Sequence, residues 1–98
     1  MLWKRKKKVE SGFSKIQHEM VRLLMMEPFR SLPYQFLLAK ILGAGMTDSK
    51  MRVHLDRRQL QHFGYLFYGK ITSCESWVFL TEKGVELSKR LAKEEAGC

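Results

Sequence analysis

The period of the sequence changes at Gly64. Upstream, apolar residues recur at the three- and four-residue spacing of helices. Downstream, two short runs, "YLFYGKIT" and "SWVFL", are aromatic and β-branched and are separated by "SCE". Side chains alternate faces along a strand and return every 3.6 residues along a helix, so one element cannot satisfy both patterns. The chain therefore has to place a β-hairpin after a set of helices, although no Asn-Gly pair fixes the turn. Helical spacing then resumes in "LTEKGVELSKRLAKEE", with Thr81 as N-cap, Glu82 in the first turn, and Val85, Leu87, Leu91 and Ala92 on the apolar side.

Proline and glycine cut the upstream part into three segments. Ser14 followed three residues later by Gln17 has the spacing of a capping box, and Ile16, Met20, Leu23 and Leu24, joined by Phe13, fall on one face of a helix over 14–26 that Pro28 stops. "RSLPYQFLLAKILGAG" reads as a second helix, with Ser31 or Leu32 at its start and Pro33 in its first turn. Phe36, Leu37, Leu38, Ile41 and Leu42 make it mostly buried, and Gly43 and Gly45 follow its end. Thr47, Asp48 or Ser49 caps a third helix over about 48–62. The order helix, helix, helix, hairpin, helix predicts an α+β fold, mainly α. With 98 residues it is expected to be one domain over 13–95, preceded by a basic arm at 1–12 and followed by a short tail at 96–98.

Charge narrows the partner. Eighteen Lys and Arg against ten Asp and Glu give a net charge of +8, which on a small domain points to a polyanion, nucleic acid before membrane. The plainer alternative is that the charge only serves solubility. No apolar run approaches the roughly 18 residues of a membrane helix. The N-terminal "MLWKRKKKVE" has no apolar stretch after its basic run, so it is not read as a secretory signal, and an intracellular location without membrane association is expected.

The segment "SKMRVHLDRRQLQHFG" carries the sharpest signal. Lys50, His54, Arg57 and Gln61 follow i, i+4, i+7, i+11 spacing and form one stripe, flanked by Thr47 and Arg58. Met51 with Leu55, and Val53 with Leu60 and Phe63, form two apolar groups on the other sides. A polar stripe is often just a solvated face. This one has no carboxylate, whereas a face built for solubility mixes signs; Asp56 lies off it, spaced to pair with Arg52. Arg can fork onto guanine O6 and N7, Gln onto adenine N6 and N7, and Lys can meet phosphate or guanine. A donor-rich helix behind a tight turn and a buried helix is the geometry that enters a major groove.

"LQHFGYL", the hairpin and "WVFLTEKGVELSKRL" together resemble the winged-helix DNA-binding domains of small bacterial and archaeal regulators. Leu60 and Gly64 match the Leu-x-x-x-Gly that closes the recognition helix in that family. Leu80, Thr81 and Gly84, with the aromatic Phe79 directly before them, match the aromatic and Leu-Thr-x-x-Gly signal that opens its last helix. The resemblance spans about 14–91. Size, basic arm and the lack of Asn also resemble the small winged-helix proteins of viruses infecting hyperthermophilic archaea. It implies double-stranded DNA binding by a homodimeric transcriptional regulator, with helix three in the major groove, 65–80 as the wing, and helices one and four at the dimer contact. Asp56 and Arg57 depart from the pattern, falling where related regulators place apolar residues; at the wing tip Lys70 shares "GKITSCES" with Glu75. Lys70 and the arm residues Lys4, Arg5, Lys6, Lys7 and Lys8 are expected to hold phosphates.

Other chemistries find little support. His18, His54, His62, Cys74 and Cys98 lack zinc-ligand spacing, so no metal and no other cofactor is expected. No paired carboxylates, Gly-rich phosphate loop or nucleophile triad suggests an enzyme, and no particular small-molecule effector is indicated. Cys74 and Cys98 are far apart. In an ordinary cytosol both stay reduced, but hyperthermophile proteins are an exception, and the chain has no Asn, a residue those proteins deplete, while its six Met point mildly the other way. Cys98, the last residue, would reach another subunit more easily than a buried partner, so an intersubunit disulfide through Cys98 or Cys74 stands beside free thiols. Two rival functions remain: a winged-helix protein adaptor, and non-specific or single-strand nucleic-acid binding through the hairpin aromatics.

Overall fold

Ser14 starts the first helix as its spacing predicts. The computed structural model describes residues 12–70 and 75–97, with side chains to 93. In it α1 spans Lys15–Met26 with Ser14 as N-cap. The Gln17 N–H donates to Ser14 Oγ at 3.1 Å and the Ser14 N–H to Gln17 Oε1 at 2.9 Å, so two orphan donors of the helix start are satisfied reciprocally. Ile16, Met20, Val21 and Leu24 are buried, with Phe13 and Leu23 packed at the margin.

The second segment differs from its prediction. Ser31–Pro33 is a short strand, β1, and α2 begins only at Tyr34, running Tyr34–Gly43 with Pro33 as N-cap. The reason is local: a residue before proline is pushed to extended backbone, and an edge strand tolerates a residue without an N–H. β1 is such an edge, since the sheet order is β1-β3-β2. Arg30, at φ 52°, turns the chain into it and its carbonyl accepts from the Leu80 N–H at 2.8 Å. α2 is also less buried than its composition suggested. Leu37 and Ile41 are in the core, but Phe36 is 59% exposed.

Gly45, at φ 75°, follows α2, and Ser49 caps α3, Lys50–His62, by accepting from the Arg52 N–H at 3.2 Å. The hairpin is formed by β2, Leu66–Lys70, and β3, Ser76–Leu80, antiparallel with Leu66 opposite Leu80 and Lys70 opposite Ser76. α4 is Glu82–Gly97. The described residues thus form four helices and a three-stranded antiparallel sheet, α+β and mainly α. Met20, Leu24, Leu37, Ile41, Val53, Leu60 and Val78 are fully buried where the first three helices meet the sheet, and Leu87 and Leu91 add the apolar side of α4. No helix among the described residues is long and apolar enough to cross a membrane.

The two quoted glycine motifs close on each other. α3 ends in a pair of hydrogen bonds, Tyr65 N–H to Leu60 O and Gly64 N–H to Gln61 O, both 3.0 Å, with Gly64 at φ 85°. This left-handed terminator favours glycine because a Cβ there is strained. The Thr81 hydroxyl donates to Gly64 O at 2.7 Å and accepts from the Gly84 N–H at 3.1 Å, while the Thr81 N–H donates to Tyr65 O at 3.1 Å. Lys83 places its ammonium on the Phe63 carbonyl at 2.8 Å, a cation at the negative end of α3. A Cβ on Gly84 would lie 2.3 Å from Tyr65 O and 2.6 Å from Leu80 Cδ1. Gly84→Ala is therefore expected to lower stability by roughly 2–4 kcal/mol in urea unfolding, since backbone has to move. Gly43→Ala, where a Cβ meets nothing within 4 Å, should be neutral or stabilising by up to about 1 kcal/mol.

Candidate nucleic-acid interface

The buried side of α3 is Val53, Asp56, Arg57 and Leu60, an i, i+3, i+4, i+7 set in which the middle two are charged. Both charges are held, by opposite flanks. Asp56 accepts from Ser14 Oγ at 3.0 Å, at the positive end of α1, where a carboxylate is favoured. Gln17 Nε2 reaches the Asp56 carbonyl at 3.3 Å and Gln59 Oε1 at 2.6 Å, so the capping box of α1 also clamps α3. The expected Arg52–Asp56 pair does not form among the described residues: Asp56 is 6% exposed and turned toward α1, while Arg52 faces solvent.

Arg57 points to the other flank and is 3% exposed. Its guanidinium lies 3.9 Å from the ring centre of Tyr68 on β2 and 5.2 Å from that of Tyr34 on α2. It donates to Gln61 Oε1 at 2.6 Å, and its other terminal nitrogen is 3.2 Å from His54 Nδ1. Nε is buried without a hydrogen-bond partner in the structure. No carboxylate neutralises this cation among the described residues; aromatic faces and neutral acceptors stabilise it instead. Burial pushes the Tyr34 hydroxyl above its ordinary value, with Arg57 pulling partly the other way.

The burial of Asp56 and Arg57 rotates α3 relative to the expected stripe. Lys50, His54 and Gln61 lie along one edge of the helix, with His54 half-buried and the other two exposed. The outward face centres on Met51, Leu55, Arg58 and His62, which share i, i+4, i+7, i+11 spacing. Met51 and Leu55, one of the two apolar groups set opposite the stripe by the sequence pattern, are 63% and 46% exposed. They are surface residues that the sequence pattern missed, and the misplaced apolar slots at Asp56 and Arg57 were the signal that could have found them. Arg57, expected to face a groove, faces two tyrosines.

The remaining expected residues fall in different places. Thr47 is half-buried and its hydroxyl accepts from the Ser49 N–H at 3.1 Å, shaping the turn before α3. Lys70 is exposed at the end of β2 and Glu75 is half-buried across the hairpin. Lys4, Arg5, Lys6, Lys7, Lys8, Cys74 and Cys98 lie outside the described residues. Of the hairpin aromatics, Tyr68 is on the inner face with Arg57. Phe67, Trp77 and Phe79 share the outer face, with Phe67–Phe79 centroids 5.9 Å apart and Trp77–Phe79 centroids 6.4 Å apart. The described residues contain no cluster of three His, Cys, Asp or Glu suited to a metal.

The difference between two adjacent arginines is measurable. Arg57→Ala should cost about 2–4 kcal/mol of stability, through a cavity beside Tyr34 and Tyr68 and lost cation–π contact. The exposed Arg58→Ala should stay within about 0.5 kcal/mol of the parent in the same denaturant titration.

No protein-family profile and no characterised protein matches the sequence. Among solved structures, the fold is similar to that of AbsC, a MarR family transcriptional regulator from Streptomyces coelicolor, with a TM-score of 0.70 and 17% identity over 94% of this chain. The chain spans 60% of the length of that protein. The architecture is a winged helix-turn-helix, with β2–β3 as the hairpin wing.

Proposed function

We propose that this chain binds double-stranded DNA, with α3 in the major groove and the β2–β3 wing beside it, as a homodimeric transcriptional regulator. The observation that carries the reading is the exposed surface of α3. It presents Lys50, Arg52, His54, Arg58, Gln59, Gln61 and His62 and no carboxylate, because Asp56, the one acid in the helix, is buried against Ser14. A net charge of +8 and the fold shared with a transcriptional regulator support the same reading.

On this reading Arg58 and Lys50 address guanine or phosphate, and Met51 and Leu55 meet thymine methyl groups, the apolar feature of the major groove. Lys70 and the N-terminal arm neutralise phosphates. Pairing of two copies through α1 and α4 would set half-sites about one helical turn apart. A second reading, a protein adaptor, is favoured by apolar side chains away from α3: Phe29 is 87% exposed, Met26 69%, and Phe36 and Phe67 59% each.

Selection of binding sites from random duplex DNA at two salt concentrations tests this. A palindromic motif should emerge. Arg58→Ala should then weaken binding to it by roughly 1–3 kcal/mol, and Lys50→Ala should reduce the salt slope by about one. Retention that enriches no sequence and ignores both variants would leave the adaptor reading in front.

A further inference from the structure

We propose that Arg57 acts from inside the fold as a positioning residue that holds the acceptor atoms of His54 and Gln61 inward and leaves their donors outward, so that this edge of α3 selects guanine over adenine. The inference rests on the DNA-binding reading above. A guanidinium has five N–H donors and no acceptor. The Gln61 atom 2.6 Å from Arg57 Nη1 must therefore be the oxygen, which directs the amide oxygen inward and leaves the NH₂ as the group free for a partner on this exposed residue. The same logic fixes His54. Its Nδ1, 3.2 Å from Arg57 Nη2, has to accept, so the ring proton sits on Nε2.

The consequence is a change in what this edge can read. A glutamine forks onto adenine by accepting from N6 and donating to N7, which needs oxygen and nitrogen turned to the base together. With the oxygen turned inward onto a guanidinium that is 3% exposed and lies against two tyrosine rings, the NH₂ is the half of that fork turned toward a base. Donors suit guanine, whose groove edge offers N7 and O6 side by side, and conflict with the adenine N6 amino group. The imidazole Nε2–H of His54 carries the same preference.

The test compares sites selected from random duplex DNA by the wild type, Gln61→Ala and Arg57→Met, together with long-range proton–nitrogen correlation of the His54 ring in the free wild-type protein. The expected result is a guanine, favoured roughly tenfold or more over adenine, at the position whose preference disappears in Gln61→Ala. Arg57→Met, which frees the amide to turn, should move that position toward adenine, and the His54 proton should be on Nε2. Adenine at the Gln61-dependent position in the wild type, or a His54 proton on Nδ1, overturns the proposal while leaving DNA binding intact. Should Arg57→Met not fold, those two wild-type measurements and Gln61→Ala still decide it. A wild type that enriches no motif overturns both this inference and the reading on which it rests.

Discussion

The placement of the hairpin against the helices depends on a few hydrogen bonds between the backbone of residues 63–65 and residues 81–84. Gly64 ends α3 in a left-handed conformation, and the carbonyls of Phe63, Gly64 and Tyr65 are then taken up by Lys83, the Thr81 hydroxyl and the Thr81 N–H. Helix ends leave carbonyls without internal partners, and here the start of α4 satisfies those at the end of α3. The approach is close enough that Gly84 must lack a Cβ. Since β2 leaves from one side of this junction and β3 enters at the other, it also fixes where the wing begins and which way α3 is turned.

That turn is completed by two charged residues in positions that apolar side chains usually occupy. Each is held by a different neighbour: Asp56 by Ser14 on the α1 side, Arg57 by the rings of Tyr34 and Tyr68 on the α2 and β2 side. Buried polar groups left without partners are costly, so the two contacts favour one rotation of α3 about its axis. Gln17 strengthens this arrangement, because the residue that completes the α1 cap also hydrogen-bonds Asp56 and Gln59. The rotation sends Met51, Leu55, Arg58 and His62 outward. What α3 offers to a partner therefore follows from how its inner face is satisfied.

Much of the fold was legible before any coordinates. The capping box at Ser14 and Gln17, the stop at Pro28, the switch of period at Gly64 and the Thr81 cap are local signals, each set by backbone hydrogen bonding within a few residues. The strand at Ser31–Pro33 was not, because three residues carry no period and become a strand only when β3 supplies an edge to pair with. For the candidate site the reading was mixed. The basic, acid-free character of helix three was plain, but its outward residues were assigned about one position away in rotation, since hydropathy places an arginine outside by default.

The sequence by itself determined the order of the four helices and the hairpin, most caps and turns, and the excess of positive charge, because propensity, glycine backbone freedom and net charge are properties of short segments or of composition. Only the tertiary structure decided that Arg57 is an interior residue and that Met51 and Leu55 are surface ones. The physical reason is that burying a guanidinium requires two aromatic faces and two acceptors in one place. Tyr34 and Tyr68 are distant in sequence and meet, with ring centres 5.6 Å apart, only when α2 and β2 pack on the same flank of α3.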